Sequence, residues 1–136
     1  MPQFLNVDLH VESRQDLDTL ATALDAQAYW QTWDHKGVHF LHRSLGLGRR
    51  SDTPSAIILG VTKQVQRLRG AARAAWNAAK VKEFDIGIQA DRSPARGEWT
   101  VSVEGLQAAS RVGAQIRITV YGPEPSATPK TKSRRQ

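Results

Sequence analysis

The sequence predicts an α+β fold: a single two-layer domain in the order β-α-β-α-β-β-α-β, with helices packed on a mostly antiparallel sheet. Three observations carry this expectation. Apolar and polar residues alternate near both ends of the chain, the period of half-buried strands. Apolar residues recur every three or four positions from Ile57 to Ala79, the period of a helix with one buried face. The length, 136 residues, suits one hydrophobic core. Several helices must then bury their stripes against a single sheet, which implies two layers.

The elements follow in order. Between Phe4 and Val11, Leu5, Val7, Leu9 and Val11 alternate with Asn6, Asp8 and His10, giving a first strand. Ser13 and Asp16 have the spacing of a capping box, and Leu17, Leu20, Ala21, Leu24 and Ala28 repeat at three and four, so a first helix is expected over about 14–26. QAYWQTWDHKG mixes aromatic and polar residues and ends in Gly37, which reads as a loop before a short strand at Val38, Phe40 and Leu41. After the glycine-punctuated LGLGRRSD, Thr53-Pro54 supplies a cap and a first-turn proline. One long helix to about Lys80 should follow, its stripe formed by Ile57, Ile58, Val61, Val65, Leu68, Ala72, Ala75, Trp76 and Ala79. Gly60 and Gly70 each cost about 1 kcal/mol relative to alanine, so a kink or break belongs near one of them. Phe84, Ile86, Ile88 and Ala90 form a third strand, with a hairpin-like connection to a fourth at Trp99 and Val101. Ser102 caps a third helix with Leu106, Ala109 and Val112 on its apolar face, and Gly113 provides a left-handed end. Ile116, Ile118 and Val120 make the last strand.

Residues 1–122 are thus expected to form the domain. The remainder, 123–136, holds three prolines, four bases and no large apolar residue, and is expected to be a disordered basic tail. The formal net charge is +6, unevenly spread. Residues 43–82 hold nine bases against Asp52 alone, whereas residues 1–42 hold six acids against two bases. No apolar run approaches the roughly 18 residues that span a bilayer, so a soluble protein without membrane contact is expected. The N-terminal segment has no basic stretch and carries Asp8 and Glu12, unlike a signal peptide. With no cysteine, disulfides, thiol catalysis and cysteine-ligated zinc are excluded, and a reducing cytoplasm is the expected location.

Several segments together resemble the bacterial domain-of-unknown-function family numbered 4279. They are LDTLATAL in the first helix, the Trp33-Asp34-His35-Lys36-Gly37 element, and the closing series FDIGIQA, VSVEGLQAASRVGA and QIRITVY. The resemblance extends over about residues 3–122, with Asp34-His35 lengthening the family's tryptophan-lysine-glycine turn. It implies an immunity or accessory role in a bacterial toxin system.

Chemistry-bearing motifs are scarce. His35, His39 and His42 lie within eight residues, but on a strand His39 and His42 face opposite ways, so no metal site is expected. The LGLGRR segment lacks the spacing of a phosphate loop, and no GxSxG or HExxH occurs. No cofactor and no enzymatic activity are therefore expected. Two features point to binding. Tyr29, Trp30 and Trp33, followed closely by Arg43, Arg49 and Arg50, combine the residue types that dominate interface hot spots. Lys63, Arg67 and Arg73 lie outside the apolar stripe and give the long helix a positive outer face. The leading expectation is a non-enzymatic domain that binds another protein, one with an acidic surface, as an immunity protein masks a toxin. The alternative is a nucleic-acid-binding module using the basic helix face and the tail.

Overall fold

The computed structural model describes residues 2–33, 36–45, 53–92 and 96–123. Nine elements succeed one another: β1 (Gln3–Ser13), α1 (Asp18–Ala23), β2 (Gln27–Trp33), β3 (Lys36–Leu45), α2 (Pro54–Gln66), α3 (Gly70–Ala78), β4 (Val81–Gln89), α4 (Val103–Arg111) and β5 (Gln115–Tyr121). The five strands form one sheet in the order β2-β3-β1-β4-β5. Every neighbouring pair is antiparallel except β4 and β5, which are parallel. The α+β class and the mostly antiparallel sheet are as the sequence implies.

The core lies between one face of the sheet and the helices. Val7, Leu9 and Val11 of β1 are fully buried, and beside them on that face stand Leu41, Phe84 and Ile86. All nine residues of the predicted helical stripe are buried against them. The intervening β1 residues Asn6, Asp8, His10 and Glu12 point to the other face and stay half-buried. No helix is long and apolar enough to cross a membrane among the described residues.

Five expectations require correction. The stretch read as a loop at 27–37 contributes β2 and the start of β3, an antiparallel pair that aligns Tyr29 with Phe40 and Trp30 with His39. β2 is an edge strand with both faces largely wet, so burial imposes no alternation on it, and the missing period hid a run of good strand formers. The long helix is two: α2 ends at Gln66, Arg69 is extended, and Gly70 enters α3 at φ +54, a left-handed conformation that glycine adopts cheaply. Gly60, in the exposed side of α2, leaves that helix unbroken.

The expected strand at Trp99 and Val101 does not form. Those residues run without regular pairing into α4, and β5 returns beside β4 by a crossover rather than a hairpin, as parallel pairing demands. The first helix is shorter than expected, because β1 continues to Ser13 and residues 14–17 make a turn. Ser13 Oγ accepts from the Gln15 N–H (3.1 Å) and Asp16 Oδ1 from the Asp18 N–H (2.7 Å), so the capping box is replaced by two local side-chain turns. Leu106, expected on the buried face of the last helix, is 50% exposed; Ala109 and Val112 are buried as expected, joined by Gly105 and Ala108.

The caps of α2 and α4 are as read. Thr53 Oγ1 accepts from the Ala56 N–H at 3.1 Å and Ser102 Oγ from the Gly105 N–H at 3.0 Å. Gly113 has φ +74 after α4. Ser55 Oγ ties the two helix starts together, donating to the Thr100 carbonyl (3.1 Å) and accepting from the Ser102 N–H (2.8 Å). At the far end of the layer, the indole N–H of buried Trp76 donates to the Val112 carbonyl at 2.9 Å, fixing α3 to the end of α4.

Candidate functional site

The aromatic cluster of β2 is divided by the pleat. Successive strand residues face opposite ways, so Tyr29 stands on the helix-free face and Trp30 on the other. Tyr29 stacks on Phe40 of β3, with centroids 5.2 Å apart and planes 15° from parallel. Phe40 is buried beneath Tyr29 on one side and His10 on the other. Trp30 is tilted against His39 and lies over Gly37, where a β-carbon would come within 2.5 Å of its Nε1. The glycine is what lets the indole lie down on the hairpin. Both rings remain exposed, 46% for Tyr29 and 56% for Trp30. The backbone of Trp33 pairs with Lys36 at the end of the hairpin, while its side chain, like Arg49 and Arg50, lies outside the described residues.

The basic residues separate into two groups. Arg43 sits on the helix side of β3, opposite Leu9, and its Nη1 donates to the Leu24 carbonyl and to Gln64 Oε1, both at 2.8 Å. Arg43 thereby holds the ends of α1 and α2 against the sheet. Arg73 on α3 reaches back to the carbonyls left open where α2 ends, with Nη2 donating to Gln66 (2.8 Å) and Nε to Leu68 (3.3 Å). Lys63 on α2 and Arg67 at its C-cap are exposed, free to meet a ligand in solvent. The structure therefore places two of the candidate cations in fastening roles. It also sets Tyr29 and the α2 cations on opposite sides of the sheet rather than in one patch.

The histidines do not converge. His39 pairs with Ser13 on the helix side and His42 with His10 on the other, while His35 lies outside the described residues. No group of three metal-ligating side chains occurs among the described residues.

Sequence reasoning passed over the helix-free sheet face, which carries several separate polar clusters. Asp8 accepts from Asn6 Nδ2 (2.9 Å) and Ser44 Oγ (2.7 Å), with His42 Nε2 at 3.6 Å. His10 and Glu12 meet at 2.8 Å. Glu83, only 4% exposed, takes Gln115 Nε2 at 2.6 Å and Arg117 Nε at 3.1 Å, and Thr119 donates to Asp85 at 2.7 Å. No buried side-chain nitrogen or oxygen is left without a partner among the described residues, so these contacts stabilise the face. The signal was present in the polar alternate positions of the strands, but the partners sit on strands distant in sequence. The described concavities are open and shallow. One lies between Asp25–Gln27 and His42–Ser44, another at Ser13–Gln15 with Ala78 and Lys80.

No family model, no curated protein and no solved structure matches the chain.

Proposed function

We propose that this domain is a non-enzymatic module that docks another protein through the β2 edge of its sheet. One observation carries the reading: Tyr29 and Trp30 stay about half exposed on an edge strand while packing holds each in one orientation. Large rings kept wet cost free energy at about 25 cal/mol per Å² of apolar surface, which a partner recovers on covering them. Rings already fixed in place also lose little rotamer entropy on docking, the property that makes Tyr and Trp anchors of interfaces. The main chain of β2, unpaired on its outer side among the described residues, lies beside them, ready to pair with an added strand. Lys63 and Arg67, together with the surplus of bases in 43–82, favour a partner with an acidic surface and speed encounter rather than anchoring it. A toxin domain masked by an immunity protein is a partnership of this kind. The cysteine-free composition suits the cytoplasm.

The test is a pull-down from nuclease-treated native lysate, followed by titration of the recovered protein at two salt concentrations. Trp30→Ala should lose about 2 kcal/mol of affinity or more. Reversing Lys63 and Arg67 together should slow association and flatten or invert its salt dependence. The alternative, a nucleic-acid-binding module on the basic helix face, predicts the inverse. Nuclease would strip every retained partner, the double reversal would abolish binding, and Trp30→Ala would change little.

A further inference from the structure

Seven large apolar side chains stand exposed among the described residues, and five of them belong to the end of the sheet opposite β2: Val103 and Leu106 on α4, and Ile118, Val120 and Tyr121 on β5, between 48% and 65% exposed. β5 is the last strand of the sheet and, among the described residues, is paired on one side only. Exposed edges are ordinarily blunted by lysine, proline or a bulge. QIRITVY contains neither lysine nor proline, and its register with β4 is unbroken. Its one charge, Arg117, is turned to the helix-free face and ion-paired with Glu83 at 3.1 Å, so it does not repel an incoming strand.

We propose that β5 is the contact of a two-fold symmetric homodimer, in which two copies of the strand pair antiparallel and join two five-stranded sheets into one. The occupant is a second copy because the strand is its own complement. Centred on Ile118, the pairing sets Ile118 against itself, Ile116 against Val120, Arg117 against Thr119 and Gln115 against Tyr121, so all seven residues are matched. The helix-side row is then wholly apolar, and each arginine faces a threonine. Centring on Arg117 would oppose two guanidinium groups directly, which is unfavourable. A slip of one residue would set Ile118 beside Arg117 and mix the two faces. On the helix side, α4 and the start of β5 leave a groove lined by Leu106, Ala109 and Ile116 among others, and Val120 of the second copy, opposite Ile116, fills its mouth. The contact closes on itself. Joining β5 to the β2 edge of another copy would instead be head-to-tail and would propagate as an open filament. The inference is independent of the β2 docking edge, which stays free at both ends of the joined sheet.

Sedimentation equilibrium of the full chain from micromolar to millimolar concentration should show monomer and dimer with no larger species. Ile118→Lys places two ammonium groups face to face on the symmetry axis and removes a buried isoleucine from each side, so association should weaken at least about tenfold. Because Ile118 is 62% exposed, the variant should keep the circular dichroism and melting cooperativity of the parent. The chain has no cysteine, so Ile118→Cys reads the register directly: mild oxidation should give a covalent dimer, whereas Thr19→Cys on exposed α1 should not. A monomer at every concentration would overturn the proposal and leave the β5 edge to residues 124–136 or to a different protein. A dimer that Ile118→Lys leaves intact and Ile118→Cys does not cross-link would overturn it equally.

Discussion

Arg73 and Arg67 are equivalent when the helix is read as a wheel, since both lie off the apolar stripe, yet only one of them has solvent as its environment. The guanidinium of Arg73 satisfies carbonyls of Gln66 and Leu68 at the point where α2 stops. Removing it leaves those acceptors to water and loosens the junction, so Arg73→Ala should cost about 1–2 kcal/mol in urea unfolding. Arg67→Ala should stay within about 0.5 kcal/mol. Equal losses for the two would mean that the junction is held by packing alone. Trp30 and Gly37 form a coupled pair of the same kind. Gly37→Ala must push the indole off the hairpin. In a double-mutant cycle with Trp30→Ala, the double variant should therefore lose less stability than the sum of the two single variants, measured by chemical denaturation.

At the scale of elements, the two glycines that the helical pattern treats alike separate cleanly. Gly60 has a helical conformation with no atom within 4 Å of a prospective β-carbon, whereas Gly70 has open space but φ +54. Gly60→Ala should therefore stabilise the protein by up to about 1 kcal/mol through helix propensity. Gly70→Ala should destabilise it by about 1–2 kcal/mol through left-handed strain. Thermal melts of the two variants should shift in opposite directions, and a shared upward shift would mean that α2 and α3 form one continuous helix. Much of this level was legible in the residues. The strand at β1, the caps at Thr53 and Ser102, the left-handed Gly113 and every member of the buried stripe follow from local rules of period and capping. β2 was not legible, because a strand whose two faces are both wet carries no alternation to read. The break at Gly70 was visible only as one of two equal possibilities, since what selects it is the return of Arg73 and the docking of Trp76 on Val112.

For the whole molecule, the core is one continuous cluster from β1 through α2 and α3 to β4, so a charge at its centre has no local remedy. Leu68→Asp should unfold the domain, since burying an unpaired carboxylate costs several kcal/mol against a total stability of about 5–15 kcal/mol. Arg67→Glu, one residue earlier and exposed, should fold as the parent does. A cooperative, unshifted transition for Leu68→Asp would refute the burial of that position. Truncation after Pro123 should leave the melting temperature unchanged, because the removed segment has no large apolar residue to contribute.

By itself the sequence determined which residues are apolar at which period, and with that the α+β class, the caps at Thr53 and Ser102 and the buried helical stripe, because period and capping are properties of neighbours along the chain. The tertiary structure alone decided which strands sit at the edges, which face of the sheet is left without helices, and which arginines are fastened to carbonyls. It also decided that Tyr29 and Trp30 divide between two faces and that Ile118 and Val120 end in solvent rather than in the core. These outcomes depend on strand order and on pairings between residues far apart in sequence, and no local pattern encodes the neighbour that a strand lacks.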